Sequence, residues 1–132
     1  MASICRDIFI DRDAESAWAA LRRFGAAAEL FRGVLVGCRC TGHVREVTFA
    51  GGKTLMEQLV TRDDPTRRLV YTLRHPAYTH HNASMQIVPA SAGCRFIWIS
   101  DFLPEERAAT MEPLIDAGCR ALQVCLESRA HT

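Results

Sequence analysis

The sequence lacks an excess of charge of either sign. Its 16 Lys and Arg residues nearly cancel 15 Asp and Glu residues, leaving +1 at pH 7 with histidine neutral. A dedicated nucleic-acid binder draws its affinity from a basic face, so this balance argues against that class. Long hydrophobic runs are also missing. No stretch approaches the roughly 20 apolar residues that span a bilayer, so membrane insertion is not expected. Met1 to Asp7 show no basic stretch leading into an apolar one, so no export signal is read there and a cytoplasmic location is expected. There is no GxGxxG, P-loop, GxSxG, HExxH or EF-hand pattern, and no nucleophile stands beside an evident base.

What is present fits one domain over residues 1–132. Hydrophobic residues make up 48% and charged residues 23%, which is too apolar for a disordered chain and ordinary for a globule. A chain of this size builds one core of modest extent. The six cysteines are Cys5, Cys38, Cys40, Cys94, Cys119 and Cys125. Without an export signal they are expected to be reduced thiols, several of them buried. Cys38-x-Cys40 followed by His43 lacks the spacing of common zinc sites, and no second pair completes it, so no metal is expected.

An opening strand is expected over 3–11. Asp13 is placed to cap a helix, with Glu15 in its first turn. Ala14, Ala17, Trp18, Leu21 and Phe24 recur at helical spacing until Gly25, and residues 26–31 make a second short helical piece. Six strands follow, over 34–41, 43–50, 54–62, 68–75, 80–88 and 94–102, rich in Val, Thr, Ile, Tyr and Phe. Turn-like breaks separate them: Gly51-Gly52, Asp63-Asp64-Pro65, His75-Pro76 and Ala90-Ser91-Ala92-Gly93. From Pro104 a long amphipathic helix is expected, with Ala108, Met111, Leu114, Ile115, Gly118, Leu122, Cys125 and Leu126 on its apolar stripe. Pro113 should kink or split it, and residues 128–132 should fray. The fold class is therefore α+β. A curved antiparallel sheet of six to seven strands wraps the long C-terminal helix, and the gap between them is where a ligand would sit.

Gly42-His43-Val44-Arg45-Glu46-Val47, then Glu57-Gln58-Leu59, Asp63-Asp64 and Tyr71 resemble the START-related helix-grip superfamily. Its members include polyketide cyclases and dehydratases, the birch-pollen allergen group and plant abscisic-acid receptors. Asn82 and the aromatic strand through Trp98 to Phe102-Leu103-Pro104 fit as well, so the resemblance runs from Ser3 to about Leu126. The short loop Ala50-Gly51-Gly52-Lys53-Thr54 has no proline, and the later loop over 75–81 also departs from the plant receptors. These departures argue against hormone reception. The resemblance implies an internal cavity, and fold alone does not say whether the cavity belongs to an enzyme or a carrier.

Strand parity decides which side chains meet that cavity. Arg45, Val47 and Phe49 share a face, as do Leu55, Glu57 and Leu59. A two-residue turn at Gly51-Gly52 would set Phe49 opposite Thr54 and bring Met56, Gln58 and Val60 to Val47. A three-residue loop would set Phe49 opposite Leu55 and Glu57 beside Val47. The resemblance implies a pocket-facing Glu57 and hence the longer loop. A carboxylate in an apolar cavity disfavours its charged form unless a cation is near, and Arg45 is the candidate cation. The pair reads either as acid–base machinery or as a structural ion pair closing one end of the sheet. Tyr71, Leu73 and His75 share a face, as do His81, Met85 and Ile87. Tyr78, His80 and His81 crowd the expected cavity mouth. Asp101 has the parity of Ile97 near the start of the long helix. Phe96 and Trp98 have the other parity; facing outward they would suggest a homodimer interface, facing inward core or pocket.

Three functions follow. The first is a cyclase- or dehydratase-type enzyme on an aromatic or polyketide-like molecule, with Glu57, Arg45, Tyr71 and His81 as catalytic groups. Val47, Phe49, Leu55, Leu59, Leu73, His75, Tyr78, Met85, Ile97 and Asp101 would bind the substrate. The second is a non-catalytic carrier of a hydrophobic metabolite or lipid. The third is an interaction module with a filled core. None of them requires a cofactor.

Overall fold

The computed structural model describes residues 2–129. Strand β1 (Ala2–Ile10) is followed by helix α1 (Ala14–Leu21), a 3-10 turn over Phe24–Ala26 and helix α2 (Ala27–Leu30). Six strands come next: β2 (Leu35–Thr41), β3 (Val44–Phe49), β4 (Thr54–Asp63), β5 (Arg68–Arg74), β6 (His80–Ala90) and β7 (Gly93–Leu103). A second 3-10 turn, Glu105–Arg107, leads into helix α3 (Ala108–Arg129). The sheet has seven strands in the order β1-β7-β6-β5-β4-β3-β2, antiparallel throughout. Short turns make β2 to β7 a meander. The α1–α2 segment carries the chain from one edge of the sheet to the other.

Local chemistry explains the pieces. Asp13 caps α1, accepting from the Ser16 backbone N–H at 3.0 Å and its hydroxyl at 2.7 Å. The helix stops at Leu21, earlier than the apolar spacing predicts. Phe24 then folds into the core as part of a tight turn that frees its carbonyl for a partner described below. The Asp63-Asp64 turn is structural. Asp64 accepts from the Trp18 indole at 2.8 Å and from Arg22 at 2.9 Å, tying α1 to the β4–β5 turn. Both bonds hold its carboxyl below the usual range, the indole contributing most. Register shifts at Leu59/Thr61 in β4 and at Leu35/Gly37 in β2 mark bulges, which bend strands and help the sheet curl.

The β3–β4 hairpin differs from the expected register. Thr48 pairs with Thr54 and Arg45 with Glu57, so Glu57 stands opposite Arg45 and not opposite Val47. The shift is two residues, so every side chain keeps its expected face. The loop is longer because Phe49 N–H closes on the Lys53 carbonyl at 2.8 Å and Gly52 takes φ +95°, a left-handed value that glycine adopts at no steric cost.

Helix α3 lies on the inner face of the sheet, with Ile115, Leu122 and Leu126 buried. Each such aliphatic side chain contributes roughly 1.5–3 kcal/mol on leaving water. Arg6 on β1 anchors the helix from the edge strand, reaching Asp116 at 2.6 Å and Glu112 at 3.0 Å. Pro113 neither splits nor ends the helix, because it lies only six residues in and removes one donor. Ser128 and Arg129 still belong to the helix; residues 130–132 of the expected frayed end lie outside the described residues. All six cysteines are free thiols. Burial pushes Cys119 up to about 11 and raises Cys38, Cys94 and Cys125, which keeps these four protonated.

Close approach of α3 to β7 depends on Gly118. A Cβ there would stand 2.8 Å from the Trp98 ring and 3.7 Å from Phe31. Gly118→Ala is therefore expected to destabilise the fold by about 1–3 kcal/mol through overpacking. Urea unfolding monitored by Trp fluorescence measures it.

Candidate functional site

A cavity lies between the inner face of the sheet and α3. It holds about 90 Å³ in which the centre of a water molecule can move, within about 640 Å³ of atom-free space that includes the open mouth. Its polar groups come from strands and one loop: Arg45 on β3, Glu57 on β4, Tyr71 on β5, Tyr78 before β6, His81 on β6 and Trp98 on β7. Its apolar wall comes from Phe49, Leu55, Leu73 and Met85 on the sheet, and from Phe31, Val34 and Leu35 at the end of the α2 segment. Helix α3 closes it with Met111, Leu114, Ile115 and Gly118.

The Arg45–Glu57 pair is buried. Glu57 Oε1 accepts from Arg45 Nε at 2.7 Å and lies 2.7 Å from the second nitrogen, Nη2. Arg45 Nη1 donates to the Phe24 carbonyl at 2.8 Å, which is why the chain turns at Phe24. The guanidinium lies 3.9 Å from the Phe24 ring centroid and 5.3 Å from that of Tyr71. Among the described residues Glu57 Oε2 carries no hydrogen bond, so one carboxylate oxygen remains uncommitted beside the cavity.

Tyr71 is buried, and burial raises its phenol well above the usual range, with the Glu57 carboxylate adding to the effect. Its hydroxyl is therefore a proton donor at any working pH. The indole of Trp98 lies on the same wall beside the Tyr71 phenol, and the buried Ser100 hydroxyl has no partner among the described residues.

His81 is 7% exposed. Its Nδ1 accepts the backbone N–H of Leu73 at 3.0 Å, and its carbonyl accepts from Thr72 Oγ1 at 2.7 Å. Paired register between β5 and β6 ends at Tyr71 opposite Ala83. Two residues further on, the imidazole stands where a backbone ladder would continue. Burial pushes the ring down to about 4, with His80 adding to the shift and Asp101 opposing it. His81 is thus neutral, with its proton on Nε2, and offers a donor and no base.

Of the expected groups, Glu57, Arg45, Tyr71, His81, Phe49, Leu55, Leu73, Tyr78 and Met85 all line the cavity. Val47 and Leu59 share the inner face but are packed in the core beside it. Two expectations are corrected. His75 is exposed past the end of β5, where its Nδ1 accepts from Ala77 N–H and its ring meets the edge of Tyr78. Ile97 and Asp101 lie on the outer face of β7, and Asp101 accepts from Ser3 Oγ at 2.5 Å. Phe96 and Trp98, whose facing the sequence leaves open, take the inner face. The residues missed were Phe31, Val34, Leu35, Trp98, Met111, Leu114, Ile115 and Gly118. The expected stripe on α3 already contained the last four, and only the gap width decides which of them reach the cavity.

No curated protein matches the sequence closely enough to report. Solved structures share the fold. A protein from Thermobifida fusca is 29% identical, with TM-score 0.76 over 93% of this chain and 91% of its own. The Zhui aromatase/cyclase from Streptomyces sp. R1128 is 14% identical, with TM-score 0.79 over 98% and 93%. Norcoclaurine synthase from Thalictrum flavum, solved with dopamine and hydroxybenzaldehyde, is 16% identical, with TM-score 0.72 over 92% and 84%. Both of these enzymes have the helix-grip architecture seen here, a curved sheet around a long C-terminal helix. The family model described as polyketide cyclase/dehydrase and lipid transport matches residues 1–127, and the chain belongs to that family.

Proposed function

We propose that the cavity binds a small aromatic or polyketide-like ketone and that the protein acts on it as a cyclase- or dehydratase-type enzyme. One observation carries the proposal. Glu57 is held through Oε1 by Arg45, while Oε2 is uncommitted beside an apolar cavity. A carboxylate whose position is fixed by a cation, with a free oxygen and little competing water, suits proton abstraction next to a carbonyl.

The step balances as follows. Glu57 Oε2 takes a proton from the carbon beside the carbonyl, and the C–H electrons form the enolate. The Tyr71 hydroxyl supplies a hydrogen bond to the oxygen as it gains charge. The enolate carbon attacks a second carbonyl of the same molecule, forming the ring C–C bond, and the new alkoxide takes the proton back. In a dehydration Glu57 takes a neighbouring C–H proton and passes it to the hydroxyl, which leaves as water while the C–H electrons form the C=C bond. The neighbouring enzymes named above support this reading, as structures of the same fold that act on or bind aromatic compounds.

A second reading is a carrier of a hydrophobic metabolite or lipid. The clamp of Arg45 on the Phe24 carbonyl and ring favours it, because it gives the ion pair a structural task.

Two measurements separate the readings. With pentane-2,4-dione, a diketone without a ring hydroxyl, in D2O, the protein is expected to speed exchange of the methylene protons, followed by 1H NMR. Glu57→Gln is expected to lower that rate about 10²–10⁴-fold. Binding without any exchange in the parent protein would establish the carrier. Arg45→Met is expected to cost about 3–5 kcal/mol of stability by thermal or urea unfolding, because it strands a buried carboxylate. Removing both charges with Arg45→Met and Glu57→Leu should recover most of that loss.

A further inference from the structure

Three of the cavity's polar groups, Arg45, Glu57 and His81, fall in one row across the sheet. Arg45 pairs with Glu57, Glu57 with Leu73, and His81 with Phe102. Leu73 N–H meets His81 Nδ1, so Leu73 bridges the two halves of the row. The β5–β6 ladder ends at Tyr71 opposite Ala83, so Glu57 and His81 are separated by one paired strand and by a gap that the imidazole itself bridges, with apolar Leu73 between them. One end of the row is an acceptor, Glu57 Oε2. The other end is a donor, His81 Nε2–H, whose tautomer is fixed by the Leu73 backbone amide and not by a neighbouring side chain.

We infer that His81 is a specificity-determining donor, and that the row selects one flat ring carrying a hydrogen-bond donor at one end and a carbonyl at the other. The ring lies over Leu73, its donor on Glu57 Oε2 and its carbonyl oxygen on His81 Nε2–H. This deepens the binding step of the ketone reading given above and rests on that step alone: with the hydroxyl on Glu57 Oε2 the carbonyl end stands away from the base, so a ring of this kind is held and not enolised.

The surroundings fit a donor that stays neutral. Tyr71 on β5 and Tyr78 before β6 pack on the imidazole at centroid distances of 6.0 and 5.7 Å, and Phe102 is its cross-strand neighbour on β7. Of the charged groups near it, His80 opposes protonation and Asp101 favours it; Arg107 stands over the neighbouring Tyr78 ring, and Arg45 and Glu57 are at the other end of the row. An imidazole committed through Nδ1 cannot serve as a base without losing the Leu73 bond. It can only donate.

The test uses three probes of one size: 4-hydroxyacetophenone, 4-ethylphenol, which lacks the carbonyl, and acetophenone, which lacks the hydroxyl. Calorimetry on the whole protein should show 4-hydroxyacetophenone bound about three- to tenfold more tightly than either of the others, the scale of one neutral hydrogen bond. His81→Phe should abolish the preference over 4-ethylphenol and retain the preference over acetophenone. His81→Gln, which restores an N–H donor, should recover part of the lost preference. The 15N spectrum of the parent protein should show the Nε2–H tautomer unchanged from pH 8 to pH 5, a readout that no variant's folding affects. Persistence of the carbonyl preference in His81→Phe, or an Nδ1–H tautomer, overturns the inference. Equal affinity for all three probes overturns it while leaving the ketone-binding reading in place; failure of all three to bind removes both.

Discussion

The buried ion pair between Arg45 and Glu57 is the constraint around which the inner face is organised. Two charges inside a protein cost several kcal/mol each unless they meet each other and every remaining donor finds an acceptor. Glu57 alone leaves Arg45 with an unsatisfied nitrogen, and the Phe24 carbonyl satisfies it. That demand explains why α1 ends early and why the chain makes a tight turn before α2. It also fixes the Phe24 and Tyr71 rings against the guanidinium faces. The pair holds β3, β4 and the helical crossover together at one point, and the cavity opens beside it.

The His81 ring is a second organising feature, of a different kind. It occupies a place where two strands would otherwise exchange backbone bonds. The exposed-looking run from His75 to His81 thus contains one ring that is part of the sheet's hydrogen bonding and others that stay at the surface. Burial and a committed Nδ1 together remove its base character, although a histidine beside a ligand cavity invites that assignment.

Much of the architecture was legible in the sequence because turns and alternation carry it. Gly51-Gly52, Asp63-Asp64-Pro65 and the Asp13 cap each mark a boundary by local chemistry, and the structure respects them. Facing on β3 and β4 was legible as well, since an even register shift preserves parity. Facing on β7 was not. Phe96, Ile97, Trp98 and Ile99 are all apolar, so alternation distinguishes nothing, and only the packing of Trp98 against Gly118 and Phe31 settles it. His75 follows strand parity but lies just past the last β5 residue, where parity no longer holds. The cavity wall from Phe31, Val34, Leu35 and α3 depends on contacts across the whole chain, which no local pattern encodes.

The division of labour around the cavity has one further consequence. Every group there that can give or take a proton or a hydrogen bond belongs to the sheet or its β5–β6 loop, and α3 adds only aliphatic side chains and a glycine. Chemistry and capacity therefore sit on separate elements. Exchanges among Met111, Leu114 and Ile115 can widen, narrow or reshape the chamber without touching a hydrogen bond. A lineage built on this arrangement is free to change the size of its guest through the helix while inheriting its reactivity from the strands.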